Sequence, residues 1–100
     1  MKNNLPFKKE NFEKALGLVK ALDNEKRLMI LCLLCDKEMT VSEMAEVTGL
    51  SLSPMSQHLS VLKNLNLVEY EKNGLNVIYR LKGDEVRKII ETLKSVCCER

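Results

Sequence analysis

The stretch TVSEMAEVTGLSLSPMSQHLSVLKN, residues 40–64, decides the fold. It opens on Thr40-Val41-Ser42-Glu43, the spacing of a capping box, in which a threonine hydroxyl and a glutamate carboxylate satisfy free backbone amides at a helix start. The short helix begun there can bury Val41, Met44, Ala45 and Val47, and Gly49 suits the left-handed conformation at which helices end. Ser51 is positioned to cap again, and Pro54 falls in the first turn, where a missing N–H removes no intrahelical bond. The second helix runs to about Asn64. Two helices joined by a short turn containing glycine form a helix-turn-helix unit.

In the second helix Met55, Leu59 and Leu62 make one apolar stripe, while Ser53, Ser56, Gln57, Ser60 and Lys63 occupy the other side. That polar side is short-chained and nearly uncharged at its N-terminal end, as a helix entering the major groove requires. Bulky side chains there would hold its backbone away from the base edges. Gln57 has the geometry to pair with adenine N6 and N7, serines reach bases or phosphates, and the helix N-terminus itself attracts phosphate. An ordinary solvated helix face has the same composition. What distinguishes this one is its place between a capping box with a glycine turn and a basic hairpin.

Toward the N-terminus, Phe12, Ala15, Leu16, Val19 and Leu22 fall at helical spacing, with Lys14 and Lys20 on other faces. Asp23 or Asn24 can cap a second helix in which Leu28, Leu31, Cys32 and Cys35 share one face. Met29, Ile30, Leu33 and Leu34 make that helix apolar nearly all round, which predicts a central position. Toward the C-terminus, Leu67–Glu71 and Val77–Leu81 read as strands separated by Lys72-Asn73-Gly74-Leu75-Asn76, and Asn-Gly is a strong hairpin signal. Lys72 and Asn73 would meet the duplex backbone or minor groove. Asp84 can cap a last helix carrying Val86, Ile89, Ile90, Leu93 and Val96 or Cys97 on one face. The predicted fold is mainly α with a β-hairpin wing, in the order helix, helix, helix-turn-helix, hairpin, helix. It forms a single winged helix-turn-helix domain over residues 1–100.

With 100 residues and 45% of them hydrophobic, the chain has one modest core, so a leftover apolar helix face invites a second copy. The net charge is only +2, but the whole excess lies between Ser51 and Lys82, where Lys63, Lys72, Arg80 and Lys82 face Glu69 and Glu71. A phosphate-facing surface needs such a local excess. Met1 to Phe7 holds no apolar run of signal-peptide length, and no segment approaches about eighteen uncharged apolar residues. The expected location is therefore cytoplasmic, with no membrane contact. In that reducing compartment the four cysteines are core filler, metal ligands or redox-active thiols rather than a disulfide frame. His58, the single histidine, suits helix packing or a phosphate contact better than metal binding or catalysis. No phosphate loop, paired-histidine motif or nucleophile elbow is present, so neither an enzyme nor a cofactor is expected.

The segment Ala21-Leu22-Asp23-Asn24-Glu25-Lys26-Arg27-Leu28-Met29-Ile30-Leu31 and the helix from Leu50 through Leu62 resemble the second-helix signature and recognition helix of the ArsR/SmtB family of winged-helix repressors. Leu67-Val68 and Val77-Ile78-Tyr79-Arg80-Leu81 resemble its wing strands. The resemblance implies a homodimer built from the first and last helices, reading an imperfect palindrome in double-stranded operator DNA and released by an inducer. It puts DNA contacts on Ser53, Ser56 and Gln57, with Lys72 and Asn73 at the wing. The Cys-x-Cys by which many relatives hold a metal is replaced here by Val41-Ser42-Glu43-Met44, and the last helix has no histidine, so no metal site of either kind is expected. The cysteine placement is similar to the subgroup that senses persulfide or oxidants through one cysteine in the second helix and one in the last, which includes the haemolysin-activating regulators. Cys32 and Cys98 fit that register best, with Cys97 and Cys35 as further candidates. The implied inducer is a reactive sulfur or oxidant species. Packing alone also accounts for Cys32 and Cys35. Two other functions fit parts of the pattern: an arsenite or soft-metal sensor using three of the four thiols, and a winged-helix protein-interaction module that never touches DNA.

Overall fold

The computed structural model describes residues 8–98. The expectation for Met1 to Phe7 lies outside the described residues. The chain forms α1 (Lys9–Leu22), α2 (Glu25–Asp36), β1 (Met39–Thr40), α3 (Val41–Thr48), α4 (Leu52–Asn64), β2 (Val68–Asn73), β3 (Asn76–Leu81) and α5 (Asp84–Cys97). This is the expected mainly α fold with a hairpin wing, with one strand added.

The added strand, β1, pairs antiparallel with β3 through Met39↔Tyr79 and Thr40↔Ile78, giving a sheet of order β1-β3-β2. Two residues are too few to show a period of two, and Thr40 already serves another role as the cap of α3. Its Oγ1 accepts from Glu43 N at 3.1 Å, and Glu43 Oε1 accepts from Thr40 N at 2.8 Å. That reciprocal pair holds the Glu43 carboxyl below the usual range, chiefly through the Thr40 backbone hydrogen bond. Thr40→Ala is expected to cost about 1 kcal/mol. The urea midpoint should fall while the m-value stays unchanged.

Asn24, rather than Asp23, caps α2 by accepting from Arg27 N at 3.0 Å. Arg27 then reaches back to the free carbonyls at the end of α1, donating from Nε to Ala21 O at 2.8 Å and from Nη2 to Lys20 O at 3.2 Å. Lys26 Nζ donates to Thr48 O at 3.1 Å, so neighbouring side chains of α2 tie down the ends of both α1 and α3. The core is built around α2, as its apolar circumference predicts. Ile30, Leu31 and Leu34 are buried against Met44 of α3, Met55, Leu59 and Leu62 of α4, Val68 and Leu81 of the sheet, and Val86 and Ile90 of α5.

Five local expectations are corrected. Val47 is exposed, and its neighbour Thr48 is buried instead, because the Thr48 hydroxyl satisfies itself on Met44 O at 2.8 Å. Ser51 occupies the N-cap position of α4 without a side-chain cap bond, and α5 is preceded by Gly83 at φ 83°, which leaves Asp84 as its first residue. The hairpin loop is not five residues but two. Asn73 pairs with Asn76, and the turn is Gly74-Leu75. Gly74 has φ 66° and Leu75 is not at positive φ, the pattern of a turn with glycine first rather than an Asn-Gly turn. The fifth correction, at Arg80, concerns charge and belongs to the site below.

Between α4 and β2 the chain reverses through Asn66 at φ 62°. Asn66 N donates to Lys63 O at 2.9 Å and Leu67 N to Leu62 O at 3.0 Å, the two bonds of a Schellman end. This close fixes the wing beside the C-terminal half of α4.

Candidate nucleic-acid interface and thiol site

On α4, Met55, Leu59 and Leu62 are buried, and Ser53, Ser56, Gln57, Ser60 and Lys63 are all exposed. The spacing 53, 56, 57, 60 follows one side of the helix, so the four small polar side chains form one continuous row. They lie beyond the glycine turn, where Gly49 at φ 76° ends α3 and its N–H donates to Ala45 O. With Ser51 making no side-chain bond, the first amides of α4 are left for water or an anion. His58 is half-buried on the flank of this row. Desolvation, then the charge of Arg27, pulls its imidazole below the ordinary value, so it is neutral at pH 7.

The two-stranded wing has distinct faces. Val68, Tyr70 and Lys72 share one with Leu81, Tyr79 and Val77; Glu69 and Glu71 share the other with Arg80 and Ile78. On the first, the Tyr70 and Tyr79 rings stack at 5.2 Å, and Lys63 Nζ from α4 sits 4.7 Å above the Tyr70 ring. Lys63 is thereby drawn toward the wing rather than lying along the polar row. On the second, Arg80 is held by Glu71 at 2.6 Å, Glu69 at 3.1 Å and Glu38 at 3.8 Å. Arg80 therefore adds nothing to the positive field expected of this region. The field comes from Lys63, Lys72 and Lys82.

Lys72 and Asn73 are exposed near the end of β2, and Leu75 stands fully exposed at the tip. Lys82 reaches Asn66 Oδ1 at 3.5 Å and, with Lys63, Asn66 and Tyr70, borders a cleft of about 380 Å³ between α4 and the wing. Lys82 was read from the sequence as part of the local positive excess, whereas Tyr70, Asn66 and Leu75 were not singled out as site residues. Of these, only Asn66 carried a local signal, an asparagine between a helix and a strand.

The four cysteines are all free thiols. Cys32 and Cys35 are half-buried on α2, and Cys97 and Cys98 are exposed at the end of α5. Burial pushes the Cys32 thiol up; the Lys94 charge opposes this, while Cys98 and Asp36 reinforce it. Cys35 is also raised by burial, with Arg87 and Lys94 opposing and Cys32 and Glu91 reinforcing. The polar ties across this seam come from α5. Arg87 donates to the Cys35 carbonyl, and Lys94 Nζ lies 3.6 Å from Asp36 Oδ1. Helix α5 packs against α2, and Cys98, which follows α5, is among the charges that act on Cys32. Among the described residues no three of His, Cys, Asp and Glu gather as a metal site, which leaves the soft-metal alternative without a ligand set in one protomer.

Among the described residues an apolar surface is left uncovered. Leu16, Val19 and Leu93 border a groove of about 570 Å³ with Leu22 and Leu28 at its floor, and Val96 stands 77% exposed beyond it. Among the described residues no helix is long and apolar enough to cross a membrane.

This architecture has close counterparts. Residues 24–70 match the family described as bacterial regulatory protein, arsR family. The transcriptional activator HlyU of Vibrio cholerae is 42% identical over 96% of this chain and 89% of its own length. The transcriptional regulator YgaV of Escherichia coli is 39% identical over 86% of this chain and 88% of its own. The structure of reduced HlyU from Vibrio cholerae superposes with a TM-score of 0.84, covering 90% of this chain and 95% of that one. The homodimeric winged helix-turn-helix DNA-binding domain Mb0332 of Mycobacterium bovis is 32% identical, with a TM-score of 0.83 over 96% of this chain and 89% of that one. The relatives are named as transcriptional regulators and not as enzymes, which agrees with the motifs of the sequence. The chain belongs to the ArsR family of bacterial regulatory proteins and is a transcriptional regulator.

Proposed function

We propose that this regulator is a single-domain repressor that reads double-stranded operator DNA as a homodimer and leaves it when Cys32 and Cys98 become linked. The observation that carries the DNA part is the exposed row Ser53, Ser56, Gln57 and Ser60, directly opposite the buried Met55, Leu59 and Leu62. Such a row gives an N-terminal helix end hydrogen-bonding reach without steric bulk. Lys72 and Asn73 on the wing meet phosphate and sugar beside it, and Lys63 contributes positive field from the end of α4. Repression by occupancy needs nothing beyond this binding.

Dimerisation through α1 and α5 is supported by the apolar groove bordered by Leu16, Val19 and Leu93. The homodimeric state of the Mycobacterium bovis relative Mb0332 supports it as well. A dimer sets two copies of α4 against half-sites about 34 Å apart, one turn of duplex.

The thiol part rests on the shared seam of Cys32 and Cys98. The exposed Cys98 thiolate takes a sulfur from an inorganic polysulfide, releasing sulfide. The Cys32 thiolate then attacks the Cys98 sulfur, expelling a second sulfide and leaving one S–S bond, so two thiols are oxidised and the donor is reduced. That bond ties the core helix to the dimer helix and shifts the spacing of the two α4 copies. Because Cys32 is raised, its thiolate is scarce at neutral pH. Alkylation of Cys32 by iodoacetamide is therefore expected to lag that of Cys97 and Cys98 at pH 7. It should rise about tenfold per pH unit up to its own pKa, as followed by peptide mass spectrometry.

The deciding experiment measures binding to the chain's own promoter region across a salt series, before and after inorganic polysulfide. Steep salt dependence and release by polysulfide in wild type, with release lost in Cys32→Ser and Cys98→Ser, is the expected result. Binding near background at every salt concentration would instead favour a protein-interaction module. Release retained in both variants would remove the thiol mechanism.

A further inference from the structure

Resting on that thiol mechanism, we propose that Cys35 is a resolving thiol that takes over the Cys32 sulfur and so ends the α2–α5 link without any external reductant. Three observations place the third thiol. Cys32 and Cys35 are one turn apart on α2, and side chains at that spacing are neighbours, with Cβ atoms about 5–6 Å apart. Cys98 is among the charges that act on Cys32, and Cys32 is among those that act on Cys35, whereas Cys98 is not. Cys32 is therefore the shared centre, with one partner across the helix seam and one along its own helix. Finally, Cys35 sits in the last turn of α2, which ends at Asp36. Its carbonyl lies among the free carbonyls of a helix end and is held from outside by Arg87.

The exchange balances without a further oxidant. The Cys35 thiolate attacks the Cys32 sulfur of the Cys32–Cys98 bond, a Cys32–Cys35 bond forms, and Cys98 leaves as thiolate and takes up the proton that Cys35 gave. The number of oxidised sulfurs is unchanged, but the link no longer joins α2 to α5. A direct disulfide needs Cβ atoms about 3.5–4.5 Å apart, closer than helical neighbours sit. The last turn of α2 must therefore tighten or open to close it, and a helix end does so more readily than a helix interior. Arg87 and Lys94, whose charges both favour the Cys35 thiolate, stand at that end. The consequence is a timed signal, in which oxidation releases DNA and internal exchange restores the dimer geometry while Cys32 stays oxidised.

The test is a pulse of inorganic polysulfide on the full chain, followed by removal of the donor, acid quenching at intervals and disulfide mapping by mass spectrometry. Operator binding is measured on the same samples. In wild type the Cys32–Cys98 link should appear first and decline as Cys32–Cys35 grows, with DNA binding returning in step. In Cys35→Ser and Cys35→Ala the Cys32–Cys98 link and the unbound state should last several-fold longer. In Cys98→Ser the Cys32–Cys35 link should form directly. Absence of a Cys32–Cys35 link from both wild type and Cys98→Ser would overturn the proposal, as would equal lifetimes of the Cys32–Cys98 link with and without Cys35. Failure of any Cys32–Cys98 link to form in wild type would strike the thiol mechanism itself and is separately visible in the same maps.

Discussion

Charging the uncovered face of α1 by the double substitution Leu16→Glu, Val19→Glu is expected to make the protein monomeric and to lower operator affinity about a thousandfold or more. Both side chains are more than half exposed in the protomer, so neither supports its core, and exposed substitutions usually change folding stability by less than about 0.5 kcal/mol. In a dimer the same positions would have to desolvate four carboxylates in an apolar seam, which is prohibitive without partners. A monomer holds one half-site and retains mainly the phosphate attraction. The gap between specific and non-specific binding spans about three to seven orders of magnitude. Sedimentation should report the mass of one chain, circular dichroism an unchanged helix content, and titration of operator the lost affinity. A variant that remains dimeric with full affinity would move the interface away from α1.

Gln57→Ala carries the second large effect. A good bidentate contact to one base is worth about 1–3 kcal/mol, and a symmetric dimer makes it twice. The expected loss is therefore at least about 2 kcal/mol per dimer, roughly thirty-fold in affinity, concentrated on operators that carry adenine at the contacted position. Because no charge is removed, the slope of log affinity against log salt should not change. Lys72→Ala provides the contrast: a uniform loss across sequences and a shallower slope, by about one per phosphate contact removed. If Gln57→Ala lost affinity equally on all sequences, or none at all, the polar row of α4 would be only a solvated surface.

The elements were legible where a period or a cap marks them. The capping box of Thr40 and Glu43, the left-handed Gly49, the apolar circumference of α2 and the buried row of α4 all reappear as read. These are local features, decided within a few residues by sterics and hydrogen bonding. What the sequence concealed depends on partners distant in the chain. β1 exists because β3 offers Met39 and Thr40 an edge, and two residues cannot announce that. Gly83 rather than Asp84 precedes α5 because the chain must turn sharply out of β3, and glycine accepts φ 83° without strain. Asn-Gly signalled the hairpin correctly but not its register, since Asn73 pairs with Asn76 and the turn moves one residue on. The charge pattern misled at Arg80 for the same reason. The count set Arg80 only against Glu69 and Glu71 among the neighbouring charges, whereas the antiparallel register holds both on it and β1 adds a third carboxylate, Glu38.

In the candidate site, the exposure of Ser53, Ser56, Gln57 and Ser60 followed from helical spacing alone. The cation–π contact of Lys63 with Tyr70 did not, because it needs the Schellman end at Asn66 to swing the wing beside α4. The thiols divide in the same way. Spacing put Cys32 and Cys35 on one helix, but only the packing of α5 against α2 puts Cys98 among the charges that act on Cys32.

Selection of bound duplexes from a pool of random sequence tests the central claim most directly, since it asks at once whether this chain reads bases and whether it does so twice. The predicted result is enrichment of an imperfect palindrome whose half-sites lie about ten base pairs apart, with the enriched bases lost when Gln57→Ala is selected in parallel. A pool that stays random, or a single unrepeated motif bound by one chain, would contradict it.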